Sequence, residues 1–247
     1  MIRALFVIVL LVCLRLDDNL SSAEAPPLFG AGYTKVFARP FTAGASLAIR
    51  RHSWSRNIYL TFFVRDASRG VIRVTGSQRD LGNIALRTHG RVYLYFPSAE
   101  LLLTLPAGVG AQPLFGSDFS ADDLLAFGDV TGRFAPASES AETLSGTAAR
   151  RFELKPRDAK NAPYAAARLW IARDGGMPLR QEFYSADGAL IREVVAESGG
   201  RMPFPVRWWA RTFGPRGGES ELRFTSYEAN RQLADDLFTV EGIRRWR

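Results

Sequence analysis

The chain has 247 residues, 47% of them hydrophobic and 23% charged, which excludes a disordered or low-complexity chain and provides for a sizeable core. Its 32 Lys and Arg stand against 25 Asp and Glu for a formal charge of +7. That excess suits an anionic membrane surface or acidic partner, or simply a solvated basic face; without a recognisable binding motif, nucleic acid is not an expected partner.

Residues 1–23 read as a signal peptide: a charged start (Met1-Ile2-Arg3), an apolar run from Ala4 to Leu14, then small residues ending at Ala23. The run is too short to span a bilayer stably. Cleavage after Ala23 is favoured over Ala25, because Pro26 would follow the latter cut; an uncleaved anchor is the alternative. Cys13, the single cysteine, follows Val12, where a lipid-attachment signal would want a small residue. The mature chain therefore has no disulfide framework and no thiolate metal site. The chain is expected to be exported.

Pro26 to Pro40 is an extended arm or one helical turn around Tyr33 to Ala38. From Gly44 onward, strand-length runs follow one another: Ala45–Arg51, Asn57–Val64, Gly70–Thr75, Asn83–Arg87, Arg91–Phe96 and Leu101–Leu105. They are rich in Val, Ile, Leu, Tyr and Phe and separated by turn residues. Leu60, Phe62 and Val64 alternate with Tyr59, Thr61 and Phe63, so this run is apolar in both phases, as if covered on both faces. His89-Gly90 and Ser98-Ala99 look like hairpin turns.

The stretch Gln112 to Phe127 differs from everything around it. Leu114, Phe115, Phe119, Leu124, Leu125 and Phe127 surround a helix-start signal, with Ser120 as cap and Asp122 and Asp123 in the first turn. So many apolar residues must be buried: either as a permanent plug in one end of a β-structure, or as a removable lid over an apolar cavity. Gly128 to Ala149 reads as loop, with a short helix around Ser138 to Leu144.

Strands resume at Arg151–Lys155, Ala165–Arg173, Leu179–Ser185, Leu190–Glu197, Phe204–Thr212 and Ser220–Tyr227. Turn signals lie between them at Asp174-Gly175-Gly176, Asp187-Gly188, Ser198-Gly199-Gly200 and Gly214 to Gly218. Roughly eleven or twelve strands in series with little helix argue a mainly β chain, a curled antiparallel sheet or barrel. The tail from Leu233 to Trp246 is amphipathic and should dock through Leu237, Phe238 and Ile243.

Catalytic apparatus is not evident. His52 and His89 have no partners at metal-ligand spacing. Ser117 is not in a Gly-x-Ser-x-Gly elbow. Asp122 and Asp123 are adjacent, so on a helix they diverge rather than flank a bond. A hydrolase using Asp118, Asp123 or His89 is the least supported reading; no catalytic residue, metal or cofactor is expected.

The segment Gly116 to Leu124 (GSDFSADDL) resembles the GSDF-(S/T)-x-x-DL signature of outer-membrane lipoprotein-sorting proteins, within the LolA/LolB-like group of periplasmic carriers. Gly82 to Leu86, Arg91 to Pro97 (RVYLYFP), Ala167 to Ile171 with Met177 to Tyr184 (MPLRQEFY), and Asp236 to Thr239 are similar to that group as well, so the likeness spans about residues 44–240. The resemblance implies an incomplete, strongly curved antiparallel β-barrel of about eleven strands with a short helical lid or plug at about 106–145. It implies a single domain over 24–247 and a monomer. The concave face would take a lipid or lipoprotein acyl chain, and an inner-membrane export pump would be a partner. The signature residues Gly116, Ser117, Asp118 and Asp123 are then structural, and Phe62, Leu94, Phe96, Leu103, Leu114, Phe115, Phe119, Leu124, Leu125 and Phe127 are the candidate ligand-binding set. The carriers have a substantial helix before the first strand, and the segment here is short. Besides the carrier, a periplasmic sensor of the same fold that holds a protein partner remains open.

Overall fold

Period-two burial sets the sheet. In β1 (Phe41–Arg50) the side chains of Phe41, Ala43, Ala45, Leu47 and Ile49 are buried and those between them half-buried. In β2 (Ser55–Asp66), Ile58, Leu60, Phe62 and Val64 face the same way. That is the pattern of a pleated strand with one face on a core. In β2 the other face is covered only in part: Phe63 packs against Trp246, while Tyr59 is exposed.

The computed structural model describes residues 28–77, 79–105, 112–174, 176–197, 202–215, 217–229 and 231–246. The signal segment with Cys13, the turns at Gly175, at Ser198-Gly199-Gly200 and at Arg216, and the first part of the expected lid lie outside those residues. The strands continue with β3 (Arg69–Gly76), β4 (Ile84–Thr88), β5 (Arg91–Phe96), β6 (Leu101–Leu105), β7 (Phe134–Leu144), β8 (Thr147–Pro156), β9 (Ala166–Ala172), β10 (Pro178–Tyr184), β11 (Leu190–Glu197), β12 (Arg207–Thr212) and β13 (Gly218–Ala229). All thirteen form one sheet in the order β6-β5-β4-β3-β2-β1-β13-β12-β11-β10-β9-β8-β7. Every pair is antiparallel. Among the described residues β6 and β7 are free edges that do not pair with each other, so the fold is an incomplete, curved barrel.

The strand beyond expectation is β7. The sequence FAPASESAETL reads as loop with a short helix at Ser138–Leu144, yet it forms a ladder with β8 that is irregular only between Pro136 and Ser138. An edge strand with most of its side chains exposed needs no apolar alternation, and Pro136 is tolerated at an edge. The His89-Gly90 turn has φ of 48° and 72°, as a two-residue hairpin with primed geometry requires. Ser98-Ala99 instead belongs to a 3-10 turn, Pro97–Ala99, closed by Glu100 in the left-handed region.

Among the described residues three short α-helices accompany the sheet. α1 (Leu28–Val36) is interrupted at Phe29 and Gly30 and buries Tyr33 and Val36. A Cβ at Gly32 would run into the backbone of Gly176, so glycine lets the helix lie directly on the chain before β10. α2 (Ala121–Leu125) lies against β3 and β4. α3 (Val240–Arg245), preceded by a 3-10 turn at Asp235–Phe238, carries the tail. The tail covers the outer face of β3 to β5: Phe238 and Ile243 are buried with Val71, Ile84, Leu86 and Tyr95, with Leu237 packed alongside, and Trp246 meets Phe63 at 4.9 Å. No described helix is long and apolar enough to cross a membrane.

Candidate functional site

The chain leaves edge β6 and re-enters the sheet at edge β7, so the stretch between must cross the concave face. Gln112 to Ala121 form a miniature hairpin. The Leu114 N–H donates to the Phe119 carbonyl (2.8 Å), the Ser117 N–H to the Leu114 carbonyl (2.9 Å) and the Ala121 N–H to the Gln112 carbonyl (3.2 Å). Phe115 and Gly116 occupy the corner with φ of 53° and 71°, the two successive left-handed residues of a type I′ turn. Glycine suits the second position; Phe115 holds the first at a cost of about 1–2 kcal/mol.

The helix start follows the local chemistry of the sequence. Ser120 caps α2: its hydroxyl oxygen accepts from the Asp123 N–H (3.2 Å), while the Asp123 carboxylate accepts from the Ser120 N–H (2.6 Å) and hydroxyl (2.7 Å). This is a reciprocal capping box with aspartate in the acidic place. The apolar residues then go inward: Leu114, Phe119, Leu124, Leu125 and Phe127 are all buried. The Phe127 ring lies 5.8 Å from Phe41, 6.0 Å from Phe224 and 4.9 Å from Phe204, bridging β1, β13 and the approach to β12. In this structure the stretch is seated as a plug.

Polar groups clasp it along its length. At the front, the Arg51 guanidinium donates to the Asp118 carboxylate (2.7 Å) and the Gly116 carbonyl (2.8 Å), and Arg56 to the Phe115 carbonyl (2.5 Å). The Ser220 hydroxyl donates to the Asp118 carboxylate (2.7 Å) and accepts from the Asp118 N–H (3.0 Å). In the middle, Arg192 donates to the Asp118 carbonyl (3.1 Å) and forms a buried ion pair with Asp123. At the rear, the Tyr33 hydroxyl and the Gln181 amide each donate to the Gly128 carbonyl at 2.7 Å, and Arg133 pairs with Asp122. Burial pushes the Tyr33 hydroxyl well above its ordinary range, helped by Asp129 and Asp123. Burial also lowers the Arg133 and Arg87 guanidiniums.

These contacts account for the signature residues. Asp118 and Asp123 are each held by an arginine and buried, and Ser117 donates to the Leu114 carbonyl (2.7 Å). His89 sits beside Thr88 at the β4–β5 turn, at the opposite end of the sheet from Ser220. Among the described residues no three His, Cys, Asp or Glu side chains are grouped to hold a metal. The clasping partners Tyr33, Arg51, Arg56, Gln181, Arg192 and Ser220 are absent from the sequence-based candidates. The available signal was an arginine and a glutamine in inward phases, Arg192 in step with Val194 and Ala196, and Gln181 in step with Phe183.

A cleft of about 630 Å³ opens beside the front of the plug. Leu94, Phe96, Leu114 and Phe115 form its apolar floor; Trp54, Arg56, Arg79, Asp80 and Asn83 surround its mouth. Arg56 and Asp80 pair at 2.7 Å, and the guanidiniums of Arg51 and Arg56 lie 5.7 and 5.6 Å from the Trp54 ring. Of the candidate set, the structure gathers Leu94, Phe96, Leu114 and Phe115 at the cleft. It places Phe62, Phe119, Leu124, Leu125 and Phe127 in the packed interior. Leu103 pairs with Leu94 across β5 and β6 and is 42% exposed, on the lip beyond the cleft.

A family model described as "Uncharacterized protein" matches residues 66–245, and no curated protein matches. Solved structures do. A domain described as an outer-membrane lipoprotein-sorting protein from Vibrio parahaemolyticus superposes with a TM-score of 0.71 at 17% identity, over 84% of this chain and 92% of that one. A LolA superfamily protein from Nitrosomonas europaea gives 0.70 at 19%, over 87% and 96%. A DUF1329 family protein from Desulfovibrio piger gives 0.71 at 14%, over 87% and 98%. The curved open sheet, the plug between its edges and these superpositions agree: the chain belongs to the family of uncharacterized proteins whose model covers residues 66–245, and its fold is LolA-like.

Proposed function

We propose that this protein is a non-enzymatic periplasmic carrier that binds the acyl chain of a lipid or lipoprotein and shuttles it across the envelope. In this reading residues 1–23 direct export, residues 24–247 act as one monomeric half-barrel domain, and an inner-membrane transporter hands over or receives the cargo. The observation that supports it is the cleft, whose volume of about 630 Å³ falls in the range of small-molecule sites and whose floor is apolar. Burying an acyl chain gains roughly 0.8 kcal/mol per CH₂, so a chain of about fourteen carbons would gain on the order of 10 kcal/mol. A carrier must release its cargo. The plug's own apolar residues already occupy the concave face, so a chain entering beyond the cleft competes with Phe119 and Leu125, which lowers net affinity.

The test is binding of a dansyl-labelled fatty acid to the purified mature protein, with native mass spectrometry for co-purified lipid. Saturable binding that Leu94→Asp weakens at least tenfold, with an unchanged melting temperature, is expected. A protein that carries no lipid and binds no probe is not a carrier. The free edge β6, where Leu101 and Leu103 are 45% and 42% exposed, favours a second reading, a sensor that pairs a partner's strand on that edge. A stoichiometric protein partner recovered without lipid would select it.

A further inference from the structure

We infer that the cleft takes an amphiphile with an anionic head group, a carboxylate or a phosphate, its acyl chain on Leu94, Phe96 and Phe115 and its head group against Arg79. This rests on the carrier reading and narrows its ligand.

The mouth is charged unevenly. Arg56 and Asp80 neutralise each other at 2.7 Å, and Arg56 also donates to the Phe115 carbonyl, 2.5 Å away. Arg51, behind the mouth, is engaged by Asp118 at 2.7 Å. Arg79 lines the cleft, is exposed, and among the described residues forms no ion pair. Two arginines against one aspartate leave the mouth one positive charge in excess, and the excess sits on the side chain free to reach a ligand. Trp54, 46% exposed between the Arg51 and Arg56 guanidiniums, marks the step from apolar floor to water with a ring suited to such a boundary. A ligand that matches these groups in order has a hydrocarbon tail and then a negative head. Arginine is suited to such a head because its fork donates two parallel hydrogen bonds to a carboxylate or phosphate. An amphiphile with an uncharged head gains only the floor.

The experiment is displacement of the bound dansyl probe by competitors that share one sixteen-carbon chain, each below its micelle concentration. Palmitate and palmitoyl-lysophosphatidylglycerol should displace it at about tenfold lower concentration than monopalmitoylglycerol, a difference of about 1.4 kcal/mol. Glycerol 3-phosphate alone should not displace it. Arg79→Gln should bring the charged and uncharged competitors to within about twofold while leaving monopalmitoylglycerol unchanged. Equal displacement by the charged and uncharged chains in the unmodified protein overturns this inference and leaves the carrier reading standing. So does a preference that survives Arg79→Gln. Displacement by glycerol 3-phosphate would make the site one for free anions and overturn it as well. If the probe does not bind, the carrier reading falls first and this inference falls with it.

Discussion

The outer face of β3 to β5 is apolar, with Val71, Ile84, Leu86 and Tyr95 buried under the C-terminal tail. The outer face of β10 to β13 has no such cover among the described residues and carries a cross-strand ladder of opposite charges. Glu193 on β11 meets Arg180 of β10 at 2.9 Å and Arg211 of β12 at 3.3 Å; Glu221 on β13 meets Arg207 of β12 at 2.7 Å and Arg223 at 3.2 Å. Arg207 also lies over Trp209, 4.3 Å from the ring. One sheet thus carries two kinds of outer surface, and what covers each decides which. With only three lysines (Lys35, Lys155 and Lys160), 29 of the 32 basic residues are arginines. Many of them are paired with carboxylates in this ladder or in the plug, whereas Arg79 lines the cleft and forms no ion pair among the described residues.

Breaking the tail's contact should have the largest effect. Ile243 is fully buried against the outer face, and Ile243→Asp combines a lost apolar side chain with a buried carboxyl, a cost on the order of 5 kcal/mol. For a chain of this size that is a fall of about 10–20 °C in melting temperature, read by circular dichroism. A shift of only a degree or two would show that the tail rests on the sheet without stabilising it.

The plug comes next, because it joins the two wings. Removing Asp123 leaves Arg192 buried without its partner, and Asp123→Ala should cost about 3–4 kcal/mol in urea titration. The double variant Asp123→Ala/Arg192→Leu removes both charges and should recover part of that loss. If the single and double variants are equally unstable, Arg192 acts through its bond to the Asp118 carbonyl rather than through the ion pair.

How much of this was legible follows burial. The inward alternation of β1 and β2 and the tail anchors Phe238 and Ile243 bury apolar side chains, and apolar periodicity records burial directly; the exposed His89-Gly90 hairpin was legible from its turn residues instead. The strand β7 does not: its residues Glu139, Ser140 and Glu142 form a strand only because β8 offers a ladder. The plug's leucines and phenylalanines marked it as an element that must be covered. Its clasp was invisible, because Arg51, Arg192 and Ser220 lie 67, 69 and 102 residues from their aspartate partners and read alone as ordinary strand residues. The depth of the seat was likewise unreadable. Phe119 is fully buried, so an aspartate there would strike the core itself, and Leu94 is the better probe of a ligand surface.

The smallest effect belongs to the charged ladder. The Glu221 carboxyl is held below its ordinary range first by the hydrogen bond from Arg207, against the opposing effect of burial. A carboxyl that titrates lower in the folded chain than in the unfolded one stabilises the fold fully above the unfolded value. That contribution drains away as the pH falls through the folded value. Glu221→Gln should therefore cost about 1 kcal/mol or less at pH 7 and nothing near pH 3, and added salt should shrink the cost at pH 7. Ile243→Ala, which changes no charge, should cost the same at both salt concentrations. A Glu221→Gln penalty that persists at acid pH would place Glu221 among the packed residues instead, and the two outer faces would then differ in composition but not in what holds them.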